Sequence, residues 1–184
     1  MRPITRGVSR YRRLLVALVA LAVAATAASA APAAPRAHVA TLSGLESNVL
    51  AEINAFRAQH GLSRLRLSTP LTTAAHAHSQ QMARDGYFGH PSADGSAFGK
   101  RLQTYYPSAS WRYWAVGENL LWSSPAVDGA RALQLWVASP EHLRNLLDPQ
   151  WREIGVSAVH IADAPGFYHG LDVTIVTTDF GIRR

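Results

Sequence analysis

Trp136-Val137-Ala138-Ser139-Pro140-Glu141-His142-Leu143-Arg144-Asn145-Leu146-Leu147 holds two helical apolar patterns with a break between them. Ala130, Leu133, Trp136 and Val137 recur at helical spacing, in a helix that opens at Ser124-Pro125. A residue before proline is pushed out of the helical region, so Ser139-Pro140 closes that helix and starts a second one, capped by Ser139. The second helix carries Glu141, His142, Leu143, Leu146 and Leu147, and stops at Asp148-Pro149. His142 falls in its first turn. The positive end of the helix dipole disfavours protonation there and leaves a neutral imidazole able to ligate.

Working outward, Leu45, Val49, Ile53 and Phe56 form one stripe of a helix over Ser43–Gln59, stopped by Gly61. Ser68 or Thr69 caps a second helix with Pro70 at its first position. Its buried face is Leu71, Ala74, Ala75, His78 and Met82, and Gly86 ends it. His76 and His78 point about 200° apart on a helix and cannot share a metal. His78 is read as a core or half-buried residue and His76 as exposed. Tyr87 to Ser110 is loop-rich, with a turn at Asp94-Gly95 and a short helix near Ala97–Thr104. Tyr105, Tyr106, Trp111, Tyr113 and Trp114 make an aromatic patch, either a sugar or lipid platform or packing beneath a long loop. Val116–Trp122 and Ile154–Ala158 read as strands, and after a turn at Ala164-Pro165-Gly166 the stretch Phe167–Phe180 reads as one long or two short returning strands. Helices first and a hairpin last predict an α+β domain, its helices packed around a small antiparallel sheet.

The chain has 184 residues, a formal charge of +6, eight His and no Cys. The charge is uneven: five Arg lie in the first thirteen residues, and residues 1–30 hold no acid. An apolar run, Leu14–Ala25, follows and leads to Ala28-Ser29-Ala30. This is the pattern of a secretory signal peptide over residues 1–30, followed by an Ala/Pro linker over 31–40 and a domain over 41–184. Uncleaved, Leu14–Ala30 would be the only membrane contact, at the lower limit of a spanning length. Arg12-Arg13 gives a faint twin-arginine signal. The exported part is near +1, so it lacks the footprint of a nucleic-acid binder. Zero Cys excludes thiol catalysis, Cys-based zinc sites and a disulfide scaffold. Arg-heavy usage, with Lys100 the only lysine, suggests a GC-rich bacterial genome.

The common hydrolase motifs are absent. Gly155-Val156-Ser157-Ala158-Val159 lacks the second Gly of a nucleophile elbow, and there is no H-E-x-x-H and no phosphate-binding Gly loop. Three pieces remain: Gly86-Tyr87-Phe88-Gly89-His90-Pro91, Gly117-Glu118-Asn119-Leu120, and the Trp136–Leu147 stretch. Their order and spacing, with Glu153-Ile154-Gly155-Val156 and Asp179-Phe180-Gly181, resemble a bacterial secreted member of the CAP superfamily, the SCP-like extracellular domain. That superfamily takes in cysteine-rich secretory proteins, antigen 5 and pathogenesis-related proteins. The likeness covers about residues 45–182.

The resemblance implies an α-β-α sandwich of the CAP/SCP type and a cleft tetrad of two His and two acids. His90 and His142 match the histidines and Glu118 the first acid. The second acid's position is Ser139, with Asp128 and Glu141 as substitutes to consider. Two imidazoles and a carboxylate suit a divalent metal, Zn or Mg/Ca, held by His90, His142 and Glu118. Alternatively they form a hydrogen-bonded structural cluster. Asn119 and Asn145 tie loops near the site, as does Ser139. His38, His60, His160 and His169 belong to no motif. Three functions follow: a secreted module binding a metal, lipid or cell-wall ligand; a hydrolase with Glu118 as base; and an interaction protein with a vestigial site.

Overall fold

A computed structural model describes residues 43–184; the signal peptide and linker expected over residues 1–40 lie outside the described residues. Five helices surround a four-stranded sheet. They are α1 (Gly44–Gln59), α2 (Thr69–Asp85), α3 (Phe98–Tyr105), α4 (Gly129–Val137) and α5 (Pro140–Leu147). The strands are β1 (Arg66–Leu67), β2 (Trp114–Ser123), β3 (Glu153–Ala164) and β4 (Leu171–Arg183), in the order β1-β3-β4-β2. The long pairs β3–β4 and β2–β4 are antiparallel. The sheet is not purely antiparallel, because β1 adds a two-residue parallel pair at one edge. Two residues are too few to carry an alternation that a sequence reading could detect.

The sheet buries both faces, as a sandwich requires. Side chains alternate along each strand. Val176, Phe180 and Ile182 of β4 face one layer with Val49 and Ile53 of α1, Trp136 of α4 and Leu146 of α5. Val173 and Ile175 face the other layer, against Met82 and Ala83 of α2. Leu71 and Ala74 of α2 continue that layer with Leu102 and Tyr106 from the α3 end. A Cβ on Gly155 of β3 would lie 2.1 Å from the Leu71 backbone, so this glycine sets how closely α2 approaches the sheet.

The helix ends follow from local chemistry. Ser43 and Glu46 form a capping box on α1. Glu46 also accepts the Ala158 N–H of β3 at 2.9 Å through its other oxygen. Gly86 ends α2 in the left-handed region (φ 67°), which reverses the chain toward His90. The helix α4 does not open at Ser124-Pro125. It starts at Gly129, where the Asp128 carboxylate accepts the Arg131 N–H at 2.7 Å, a cap that Ser124 does not supply. Past Gly166–Tyr168, a short 3₁₀ turn, β4 returns as one strand.

Candidate functional site

Glu118 sits in mid-β2 and points into the α2/α3 layer, with a side chain wholly buried. Its carboxylate is bonded at both oxygens. His90, in the loop after α2, donates Nδ1–H to Oε1 at 2.8 Å. Arg101 of α3 donates Nη2–H to Oε2 at 2.5 Å. Arg101 also holds the loop, donating to the His90 carbonyl at 3.0 Å and the Ser92 hydroxyl at 3.1 Å. Burial works against a charge on Glu118, but the His90 hydrogen bond and the Arg101 charge outweigh it and hold the carboxyl below its usual range.

With Nδ1–H given to Glu118, neutral His90 carries its lone pair on Nε2. The ring is half exposed. The geometry therefore turns a basic nitrogen toward solvent and fixes its tautomer by a buried carboxylate.

Two further groups complete the buried side. His78 of α2 lies 3.9 Å from Glu118 Oε2 and donates Nε2–H to the Gly89 carbonyl at 3.0 Å. Burial pushes its pKa down to about 4, against the pull of Glu118, so it is neutral. Asp179 of β4 stands directly opposite Glu118 in the β2–β4 register. It is fully buried, and neither oxygen meets a donor among the described residues. Burial first, and the facing Glu118 second, raise its pKa well above the carboxylate range. Asp179 thus keeps its proton, while Glu118 keeps the charge that Arg101 balances.

His142 arrives from the other layer. Strand β2 is an edge strand, and α5 covers that edge. Asn145 of α5 donates Nδ2–H to the Glu118 carbonyl at 3.1 Å and to Asn119 Oδ1 at 2.9 Å. Asn119 donates to the His142 carbonyl at 3.1 Å. The two asparagines therefore tie helix α5 to strand β2 through their amides, rather than tying loops together. The His142 ring is half-buried, and burial first, with the repulsion a protonated His90 would exert second, lowers its pKa. Among the described residues its ring makes no hydrogen bond to His90 or Glu118. Ser139 is the N-cap of α5 by backbone position, but its side chain makes no capping bond.

Among the described residues neither substitute considered, Asp128 or Glu141, is bonded to Glu118 or His90. Asp128 caps α4, and Glu141 is exposed, 3.7 Å from Arg144. The acid that pairs with Glu118 is Asp179, and the residues missed by sequence reasoning are His78, Arg101 and Asp179.

The expected metal set is not assembled. Among the described residues no group of three or more His, Asp or Glu is placed to hold a metal ion. The donor chemistry explains this: Arg101 already holds the cationic position beside Glu118, and a guanidinium there repels a dication. Glu118 is equally unsuited to act as a base on cleft water, because it is buried and both oxygens are bonded.

The sequence matches the cysteine-rich secretory protein family (CAP) over residues 50–176. It is 30% identical over 111 residues to the uncharacterized membrane protein YlbC of Bacillus subtilis (strain 168), covering 60% of this chain and 30% of YlbC. The chain spans less than half the length of the curated relatives it matches. An extracellular protein containing an SCP domain from Bacillus anthracis str. Ames shares 27% identity at a TM-score of 0.57, over 79% of this chain and 45% of that one. An outer surface protein of Borrelia burgdorferi matches at a TM-score of 0.58 with 20% identity, over 75% of this chain and 92% of that one. At that identity the likeness is one of fold.

Proposed function

The chain belongs to the cysteine-rich secretory protein family, and from that premise we propose that it is an exported binding module, extracellular or on the cell envelope, whose cleft takes the polar part of a lipid or cell-wall ligand on His90 and His142. The observation that carries this reading is the saturated carboxylate of Glu118. Both Glu118 oxygens are already bonded, so this carboxylate offers a ligand no unbonded oxygen. The cleft offers a tautomer-fixed imidazole nitrogen, which accepts hydrogen bonds from hydroxyl or amide donors. The export reading draws support from the N-terminal leader pattern and from the extracellular and outer-surface relatives. No helix among the described residues is long and apolar enough to cross a membrane.

The test is ligand capture from a mixed lipid and cell-wall extract, read by mass spectrometry. The full chain should retain a defined ligand, and the His90→Ala/His142→Ala double variant should lose it. Equal retention by the two proteins, or none by either, overturns the reading.

One observation favours a second reading. A carboxylate that orients a histidine with its far nitrogen outward is also the orienter–base half of a hydrolytic site. In that case His90 is the base and Glu118 its positioning residue. Turnover of a peptide and ester library that falls in both Glu118→Gln and His90→Ala would support it. Turnover unchanged in both belongs to a contaminant.

A further inference from the structure

At the end of the sheet where β3 begins and β4 finishes, a cavity of about 290 Å³ is lined by Arg66, Arg152, Arg183 and Arg184, with Trp111 and Glu153. Four guanidiniums therefore share one side-chain carboxylate, that of Glu153. Glu153 is already engaged: it accepts the Tyr106 hydroxyl proton and lies 3.7 Å from Arg66 and 3.9 Å from Arg183. Six of the 18 basic residues precede Ser43, so residues 43–184 carry 12 basic and 12 acidic residues. In a neutral domain this concentration is a local excess. The far end of the same strands carries the opposite sign, at Asp163 and Asp172.

The arginines are pre-arranged. Arg183 lies over the Tyr106 ring at 4.1 Å and near the Trp111 ring at 5.4 Å. Arg184 lies over the Tyr113 ring at 4.8 Å. A guanidinium stacked on an aromatic face keeps its N–H edge free in the plane, the geometry that grips an oxyanion with two bonds. Arg152 donates one terminal nitrogen to the carbonyls of Pro149, Gln150 and Trp151, which fixes its plane; its other nitrogens have no protein acceptor among the described residues. Arg66 is 78% exposed. Trp111 leaves 46% of its surface open, held out by a turn in which Ser110 takes a positive φ of 76°. A non-glycine residue in that region is strained, and here the strained turn presents an indole to solvent beside a row of cations.

An open indole face beside an oxyanion grip fits a sugar or polyol ring carrying a negative charge. We propose that this pocket binds an anionic polysaccharide, one unit at a time. Trp111 stacks on the ring, and Arg66, Arg152 and Arg183 take the phosphodiester or carboxylate oxygens. A nucleic acid fits less well, because the domain has no net field and no basic stripe to follow a phosphate backbone. The pocket is separate from the cleft: Trp114, the β2 partner of Arg183, lies four residues from Glu118, about 13 Å along the strand.

The test is titration of the full chain with a phosphodiester-linked hexose polymer, a polyuronate, neutral dextran and a single-stranded oligonucleotide, each at low and moderate salt. At least one anionic polysaccharide should bind and weaken with salt, and dextran should not bind. The polymer that binds identifies the oxyanion as phosphodiester or carboxylate. Arg66→Ala/Arg152→Ala and Trp111→Ala should each weaken binding about tenfold or more while the melting temperature is unchanged. Because these side chains are exposed, the variants should fold. His90→Ala should bind as wild type. Binding unchanged in the arginine and tryptophan variants, or an oligonucleotide bound as tightly as the polysaccharides, overturns the proposal, as does no binding to either anionic polysaccharide.

Discussion

Glu118 and Asp179 face each other across adjacent antiparallel strands, both buried, one ionised and one protonated. Two carboxylates at that separation cannot both be charged, and Arg101 decides which one is. For Asp179 the folded pKa is raised. Its contribution to stability is therefore complete below the ordinary value of 3.8 and is lost as pH rises toward the folded value. An amide in place of the protonated acid keeps a donor and cannot ionise. Asp179→Asn is thus expected to melt at or above the wild-type temperature, with an advantage that widens as pH is raised. A constant difference between pH 5 and pH 9 would contradict the proton assignment.

Removing Arg101 leaves the Glu118 charge buried with only His90 as partner. Breaking one side of a buried ion pair costs about 3–5 kcal/mol, so Arg101→Met should lose stability on that scale in chemical denaturation. Adding Glu118→Gln removes the stranded charge and should restore a large part of the loss. Additive losses in the double variant would show that the two residues do not act as a pair.

His78 gives the acid limb. Its folded pKa of about 4 lies below the ordinary value of 6.5, so the unfolded chain binds the proton first. Stability is complete above about pH 6.5 and falls as pH is lowered toward 4, by up to about 3 kcal/mol. Glu118, whose pKa is lowered, adds a loss below the usual carboxylate range. The melting temperature of His78→Gln should be flatter over pH 6.5–4 than that of wild type.

Zinc titration addresses the cleft directly. With Glu118 saturated and only two imidazoles available, wild-type heat signals should match those of His90→Ala/His142→Ala. A stoichiometric zinc site that vanishes in the double variant would mean that Arg101 yields its place to the ion.

Much of this was legible beforehand, for reasons specific to each residue. Helices α1, α2 and α5 declare themselves through apolar spacing, Gly stops and Ser139-Pro140, whereas the true start of α4 rests on the Asp128 cap. His90, Glu118 and His142 stand in short motifs whose spacing is informative. Asp179 does not announce its partner, because strand register depends on the whole sheet and a shift of one residue would turn it to the opposite face. Arg101 sits on an eight-residue helix with nothing to distinguish it from a solvated cation. His78 was read as core or half-buried, and it is fully buried; the missing step was that it lies beside Glu118.

Glu46 spans two jobs, closing the first turn of α1 and satisfying an N–H of β3. One side chain thus couples two layers: a cut between Ser43 and Glu46 would fray the first helix and leave a β3 N–H without its partner in the same event.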